Sequence, residues 1–171
     1  ILKISEKARK EGQLAIVPMK NWSRNMTWPG TGLKWIPTSP NIPTLDSVAG
    51  YPMTGLGAQM GKFKHGIGTP QPFRFLTYEG KTPTELKNAL DAIGLGGLSF
   101  QIKTLQDSSG KSVTGVYIVL KDWQSWRPTE LAFHMMKLAA KWETPSPFSQ
   151  AKESEITLFN KHVGSTAWWT H

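Results

Sequence analysis

The 171 residues contain no cysteine. That excludes disulfides, thiolate-ligated zinc and thiol catalysis. Long apolar runs are missing too. No stretch approaches the ~18 residues that read as a membrane span, and no apolar h-region follows Ile1, so no secretory signal is read at the start. Acidic residues are few: 12 Asp and Glu stand against 20 Lys and Arg, for a net charge of +8. Such a balance favours an anionic partner, whether nucleic acid, membrane surface or acidic glycan. The cations are scattered, however. The densest stretch, Lys3 to Lys10, is broken by Glu6, and Lys62-Phe63-Lys64-His65 comes next. Neither is a basic tract, and no element interleaves aromatic with basic residues, so no nucleic-acid partner is expected. The chain opens on Ile1 and closes on Trp168-Trp169-Thr170-His171; both natural ends are expected to lie beyond it.

Internal repeats and low-complexity blocks are also lacking. What is present is a hydrophobic fraction of 39% and 8 Trp. The length and the apolar content suffice for one packed domain. Exposed aromatic rings often face sugars, because a ring matches the apolar C–H face of a pyranose. Against that, about five of the eight Trp are expected in core or interface.

Residues 13–18 (QLAIVP) predict a short buried strand ending at Pro18. Residues 19–43 are irregular and dense in Trp, Pro, Gly and Asn, the kind of long loop that is usually functional. Thr44 caps a short helix that stops before Pro52. Residues 53–81, punctuated by six glycines, read as a second irregular segment. The clearest helix follows: Thr82 with Glu85 forms a capping box, Pro83 takes the first helical position, Gly94 terminates it, and Leu86, Leu90 and Ile93 form its apolar stripe. Residues 98–103 alternate as a strand with Leu98, Phe100 and Ile102 on one face. Residues 107–112 make a turn, and 113–121 form a strand apolar enough to be central in a sheet. Pro128 opens a helix striped by Leu131, Met135, Leu138 and Trp142. A linker at 144–149 leads to a last helix ending near Gly164. The sum is a mixed α/β (α+β) domain over 1–171: a small sheet, about three helices and two long functional loops.

The chemistry is less legible. His65, His134, His162 and His171 show no metal-ligand spacing, so no metal or cofactor is expected. There is no nucleophile elbow. The Gly-rich GKFKHGIGTPQ lacks the G-K-[ST] ending of a phosphate loop. Glycoside hydrolysis needs two carboxylates flanking the bond, and no pair is visible. Asp46, Glu79 and Asp122 remain as isolated catalytic candidates beside loops. On its residues alone, the chain reads as a basic, Trp-rich binding or accessory domain.

The loops carry a resemblance. Residues 17–29 read VPMKNWSRNMTWP, 32–45 read GLKWIPTSPNIPTL, 51–56 read YPMTGL and 66–73 read GIGTPQPF; the strand GVYIVLKD and the Arg127-Pro128 helix start follow. In order and spacing, over about residues 13–142, this resembles the bacterial NamZ-type exo-β-N-acetylmuramidase family, long known as a domain of unknown function. The resemblance implies a two-domain protein with a Rossmann-like first domain and a smaller α/β second domain, the active cleft between them. The chain matches the second, non-catalytic part. The implied substrate is a peptidoglycan-derived sugar from whose non-reducing end N-acetylmuramic acid is released. The implied partner is the protein's own N-terminal domain, expected to carry the principal carboxylate, and the implied location is the bacterial periplasm or the exterior. The runner-up is a non-catalytic module binding anionic cell-wall glycans. Many members have Glu just before the first Gly of the G-x-G-T loop and Arg between the glycines. Here His65 and Ile67 stand there. His65 therefore joins the weak catalytic candidates, either as a neutral donor or, at low pH, as a cation toward a lactyl carboxylate; a loop residue without a role is the alternative.

Further site residues follow from the resemblance, each with a bland counterpart. Asn41 is a ligand-facing amide or a turn former between Pro40 and Pro43. Lys20 and Arg24 attract a carboxylate or form a solvated basic loop. Trp22 and Trp35 stack on sugar, close a cleft or pack in a core. Thr69 and Gln71 offer hydrogen bonds, and Gly66 and Gly68 permit close backbone approach.

Overall fold

The computed structural model describes Glu6, residues 10–12 and residues 17–169. The strand expected at 13–18 falls mostly outside these residues; Val17 and Pro18 are exposed and not in a strand. The chain divides into two compact units, 1–35 and 36–171, where a single domain over 1–171 is the expectation from sequence. The division fits the composition of the segment before residue 36, in which no described residue is buried.

In the first unit a short 3-10 turn, Trp28–Thr31, follows Thr27. The Thr31 hydroxyl donates to the Trp28 carbonyl at 2.7 Å. The rings of Trp28 and Trp35 meet edge to face at 5.5 Å, a favourable arrangement for the ring quadrupoles.

The second unit is mixed α/β. Four antiparallel strands, β1 (Phe63–Lys64), β2 (Phe75–Tyr78), β3 (Leu98–Gln106) and β4 (Ser112–Leu120), lie in the order β1-β2-β4-β3. β4 is central, as its apolar run predicts. β3 and β4 form a hairpin in register from Leu98 opposite Leu120 to Gln106 opposite Ser112. Asp107 closes the turn between them: its Oδ1 accepts from the Ser109 hydroxyl and from the backbone N–H of Ser109 and Lys111. β1 and β2 contradict the expectation of an irregular 53–81. Their pairing is non-local, Phe75 lying opposite Tyr117, and the surrounding glycines conceal two such short strands.

Four α-helices are present among the described residues: α1 (Leu45–Thr54), α2 (Pro83–Asp91), α3 (Pro128–Trp142) and α4 (Glu153–Val163). α2 has the predicted capping box, with Thr82 and Glu85 bonded reciprocally, and Gly94 follows it at φ +73°. α1 does not stop before Pro52 but carries it inside. Proline removes the bond to the Val48 carbonyl. Val48 is exposed, so water can satisfy that oxygen. Burial of Ser47, Ala49, Gly50, Met53 and Thr54 then outweighs the lost bond.

The main core joins Leu76, Phe100, Val116 and Ile118 of the sheet to Leu86 and Leu90 of α2, Met53 of α1, and Leu131 and Met135 of α3. Each such side chain contributes about 1.5–3 kcal/mol on burial. Ile102 shares the core face by alternation yet is exposed, because the hairpin runs past the core. A smaller cluster gathers Met60, Met136 and Phe159, with Phe148 and Trp169 packed on it. No Trp is fully buried: Trp35, Trp126, Trp142 and Trp169 are half-buried and the other four are exposed. Four of the eight are thus at least half-buried, beside an expectation of about five in core or interface.

Candidate functional site

The loop 65–73 sits between two clefts of the second unit. Two glycines in the left-handed region shape it, Gly66 at φ +77° and Gly68 at φ +86°. Gly66 is packed so closely that a Cβ there would stand 2.6 Å from the Gln71 carbonyl oxygen and 2.9 Å from that of Phe75. The Gly66 carbonyl accepts from both the Thr69 N–H (3.0 Å) and the Thr69 hydroxyl (2.7 Å), and Thr69 Oγ1 in turn accepts from the Gln71 N–H at 3.1 Å. The Thr69 hydroxyl proton is thus engaged within the loop. Thr69 and Gln71, expected to offer hydrogen bonds to a ligand, here brace the turn through these atoms.

At the far end of the loop Phe73 adopts φ +64°, a conformation costly for a bulky L-residue and worth a functional question. Its neighbours hold it there. The Phe73 N–H donates to the His65 carbonyl at 2.6 Å, and its own carbonyl accepts from the buried Thr54 hydroxyl at 3.0 Å. Gly50 packs on it so tightly that a Cβ would come 2.6 Å from the Phe73 oxygen. Next to it Arg74 is buried. Its Nε and Nη2 both donate to the Ile118 carbonyl, at 2.9 and 2.7 Å, and its Nη1 donates to Asp46 Oδ1 at 3.1 Å. The guanidinium is thus satisfied on both sides, which burial of a charge requires.

The first cleft, about 370 Å³, lies where the loop meets the tip of the β3–β4 hairpin. The Ser108 N–H donates to the Gly68 carbonyl at 2.8 Å and joins the two. Pro40, Asn41 and Pro43 form the opposite wall. Asn41 sits in a tight turn bridged between Ser39 and Ile42, with its N–H directed to Ser39 Oγ at 3.3 Å. The Asn41 backbone forms the turn, and the residue lines the cleft. The structure brings Asn41, Gly68 and Thr69 together here. Asp107 also lines this cleft; hydrogen bonds from the Ser109 hydroxyl, then from the Lys111 and Ser109 N–H groups, hold its carboxyl below the ordinary carboxylate range.

The second cleft, about 440 Å³, lies across the loop. His65, Phe73 and Tyr51 stack in edge-to-face steps: His65 to Phe73 at 4.8 Å, Phe73 to Tyr51 at 5.1 Å. Gln59 and His162 also line it, and one amide atom of Gln59 contacts His162 Nδ1 at 2.5 Å. Burial pushes the His65 imidazole below its ordinary value, which favours the neutral ring.

The remaining sequence candidates lie elsewhere. Lys20, Trp22 and Arg24 are exposed and Trp35 half-buried in the first unit. Asp46 is the partner of Arg74. Glu79 is exposed in the turn after β2. Asp122 accepts from the Ser125 hydroxyl and the Gln124 N–H, which lower its pKa. None of Asp46, Glu79 and Asp122 lines either cleft. Among the described residues no group of three His, Asp or Glu is placed to hold a metal ion. Sequence reasoning missed Tyr51, Phe73, Arg74 and His162. Tyr51 and Phe73 stood inside the motif segments YPMTGL and GIGTPQPF without being singled out, and Arg74 left a lone cation inside the apolar run PFRFL.

The family profile described as "Exo-beta-N-acetylmuramidase NamZ, C-terminal" matches residues 49–171, and the corresponding N-terminal profile matches residues 2–46. Peptidoglycan beta-N-acetylmuramidase NamZ of Bacillus subtilis (strain 168) is 29% identical over 131 residues, covering 74% of this chain and 31% of that protein. A crystal structure of a DUF1343 family protein from Bacteroides fragilis NCTC 9343 superposes with a TM-score of 0.77 at 26% identity, covering 96% of this chain and 46% of the other. The chain thus spans about a third and about half of these two relatives. With the C-terminal profile covering most of its length and the motif loop built as described, the chain belongs to the exo-beta-N-acetylmuramidase NamZ family.

Proposed function

We propose that the protein containing this chain releases N-acetylmuramic acid from the non-reducing ends of peptidoglycan fragments, with this chain forming one wall of the substrate cleft. The family match supports the substrate class. The observation that carries the division of labour is the state of the carboxylates. Asp107 alone lines either cleft among the described residues, and one of its oxygens is filled by three donors. Hydrolysis of a glycosidic bond uses an acid and a base or nucleophile; these clefts offer hydrogen-bonding and apolar surface instead. The family resemblance assigns the principal carboxylate to the protein's own N-terminal domain, its partner across the cleft. Acting on peptidoglycan fragments, the protein works in the bacterial periplasm or outside the cell. Asn41, Gly68 and the loop 65–73 hold sugar.

The same carboxylate pattern favours a second reading, a non-catalytic module for anionic cell-wall glycans. One assay separates them. The chain and the full-length protein are each incubated with muramic acid β-linked to N-acetylglucosamine, and free N-acetylmuramic acid is followed. Release by the full-length protein alone is expected. Release by the chain alone refutes the division of labour and returns Asp46, Glu79, Asp122 and His65 as catalytic candidates. Release by neither leaves the binding module.

A further inference from the structure

The second cleft differs chemically from the rest of the surface. In a chain of net charge +8, no Lys, Arg, Asp or Glu lines it. Pro52, Leu56 and Ala58 join the rings of Tyr51 and Phe73 as apolar wall. The polar groups are the His65 imidazole, the Tyr51 hydroxyl and the Thr129 hydroxyl, with His162 and Gln59 at one end. The His65 ring and the Tyr51 ring each meet the Phe73 ring nearly at right angles, and their polar atoms make no hydrogen bond to another described residue. Phe73 keeps its left-handed backbone only because Thr54, Gly50 and His65 clamp it. Such strain persists where the surroundings over-determine it, and it clusters at binding sites. Here it sets an aromatic ring between a phenol and an imidazole.

This lining discriminates among ligands. A carboxylate finds no fixed cation, and burial keeps His65 neutral. An ammonium finds no carboxylate. A neutral group with a methyl and an amide satisfies both the aromatic ring and the free donors. The volume, about 440 Å³, lies low in the range of small-molecule sites, about 300–1,000 Å³, and admits one monosaccharide. We infer that the second cleft binds an uncharged N-acetylhexosamine, with the acetamido methyl on Phe73 and the amide bonded at His65 and Tyr51, and rejects the carboxylate-bearing muramic sugar. The inference deepens the proposed function, naming where the neutral half of the disaccharide rests.

The test titrates this chain with N-acetylglucosamine, N-acetylmuramic acid and glucosamine while following the His65 and Tyr51 ring resonances by NMR. N-acetylglucosamine shifts both saturably, and the two charged sugars bind weaker by about tenfold or more. Tyr51→Ala and His65→Ala each weaken N-acetylglucosamine by a similar factor, and His65→Gln, which restores a neutral donor, recovers part of the loss. The backbone spectrum of each variant checks its fold, and the wild-type titration stands without them. Equal response to N-acetylmuramic acid, or none to N-acetylglucosamine, overturns the inference. The release assay is independent of this readout. Release by the full-length protein without a response at His65 sinks this site and leaves the proposed function; a response without release does the reverse.

Discussion

Gly66→Ala is the sharpest perturbation of the motif loop. The position is left-handed, φ +77°, and its missing Cβ would lie 2.6 Å from the Gln71 carbonyl oxygen and 3.0 Å from Phe75 Cβ. The left-handed backbone alone costs roughly 1–2 kcal/mol for a residue with a Cβ. The backbone oxygen cannot rotate away, so the strand start at Phe75 or the turn at Gln71 must shift, at roughly the cost of overpacking, about 1–3 kcal/mol. Together these give a loss of about 3 kcal/mol, or a fall in Tm of about 6–12 °C for a chain of this size. Gly68→Ala is the internal control. It has a similar φ, +86°, but its Cβ would meet only Ser108 Oγ at 4.0 Å. Its cost is the backbone strain, about 1 kcal/mol after the gain from a stiffer unfolded chain. Thermal and denaturant unfolding of both variants, followed by circular dichroism, measures the difference. Losses within about 0.5 kcal/mol of each other would refute the claim that close backbone approach, rather than turn conformation, demands glycine at 66.

Arg74→Met strips the side-chain donors from the Ile118 carbonyl inside the sheet, at an expected cost of about 1–3 kcal/mol. Asp46→Asn breaks an ion pair whose carboxylate side is 62% exposed, and costs under about 1 kcal/mol; equal losses in denaturant unfolding would mean that the ion pair, not the carbonyl bonds, holds the arginine. His65 is held neutral by burial, its folded pKa below the ordinary 6.5. The unfolded chain therefore takes up a proton first as pH falls. Its contribution to stability is complete above about pH 6.5 and is lost as pH drops from there toward the folded value. His65→Gln flattens that part of the stability curve between pH 7.5 and 5, and an unchanged slope would show that another group drives it.

Much of the second unit was legible because its signals are local. Thr82, Pro83, Glu85 and Gly94 specify α2 through bonds within a few residues. Asp107 to Ser112 specifies the hairpin turn for the same reason, and the flanking alternation fixes which faces of β3 and β4 point inward. The apolar run of β4 placed it at the sheet centre. The family motifs marked the loop 65–73 as the place to look. None of these readings needs to know what lies across the fold.

The rest depended on partners distant in sequence. β2 exists because β4 lies beside it, 40 residues on, and its four residues among glycines carry no sufficient pattern of their own. α1 runs through Pro52 because tertiary burial outweighs one backbone bond. Phe73 is left-handed because Thr54, Gly50 and His65 converge on it, and the motif GIGTPQPF that ends on it does not say that its ring makes a cleft wall. The sequence by itself determined the class of fold, the capped helix, the hairpin and the family, since propensity, capping and motif spacing act over short range. Tertiary structure alone decided which side chains face a common cavity, which charge is buried and satisfied, and which histidine stays neutral, because desolvation and close contact are properties of neighbours in space.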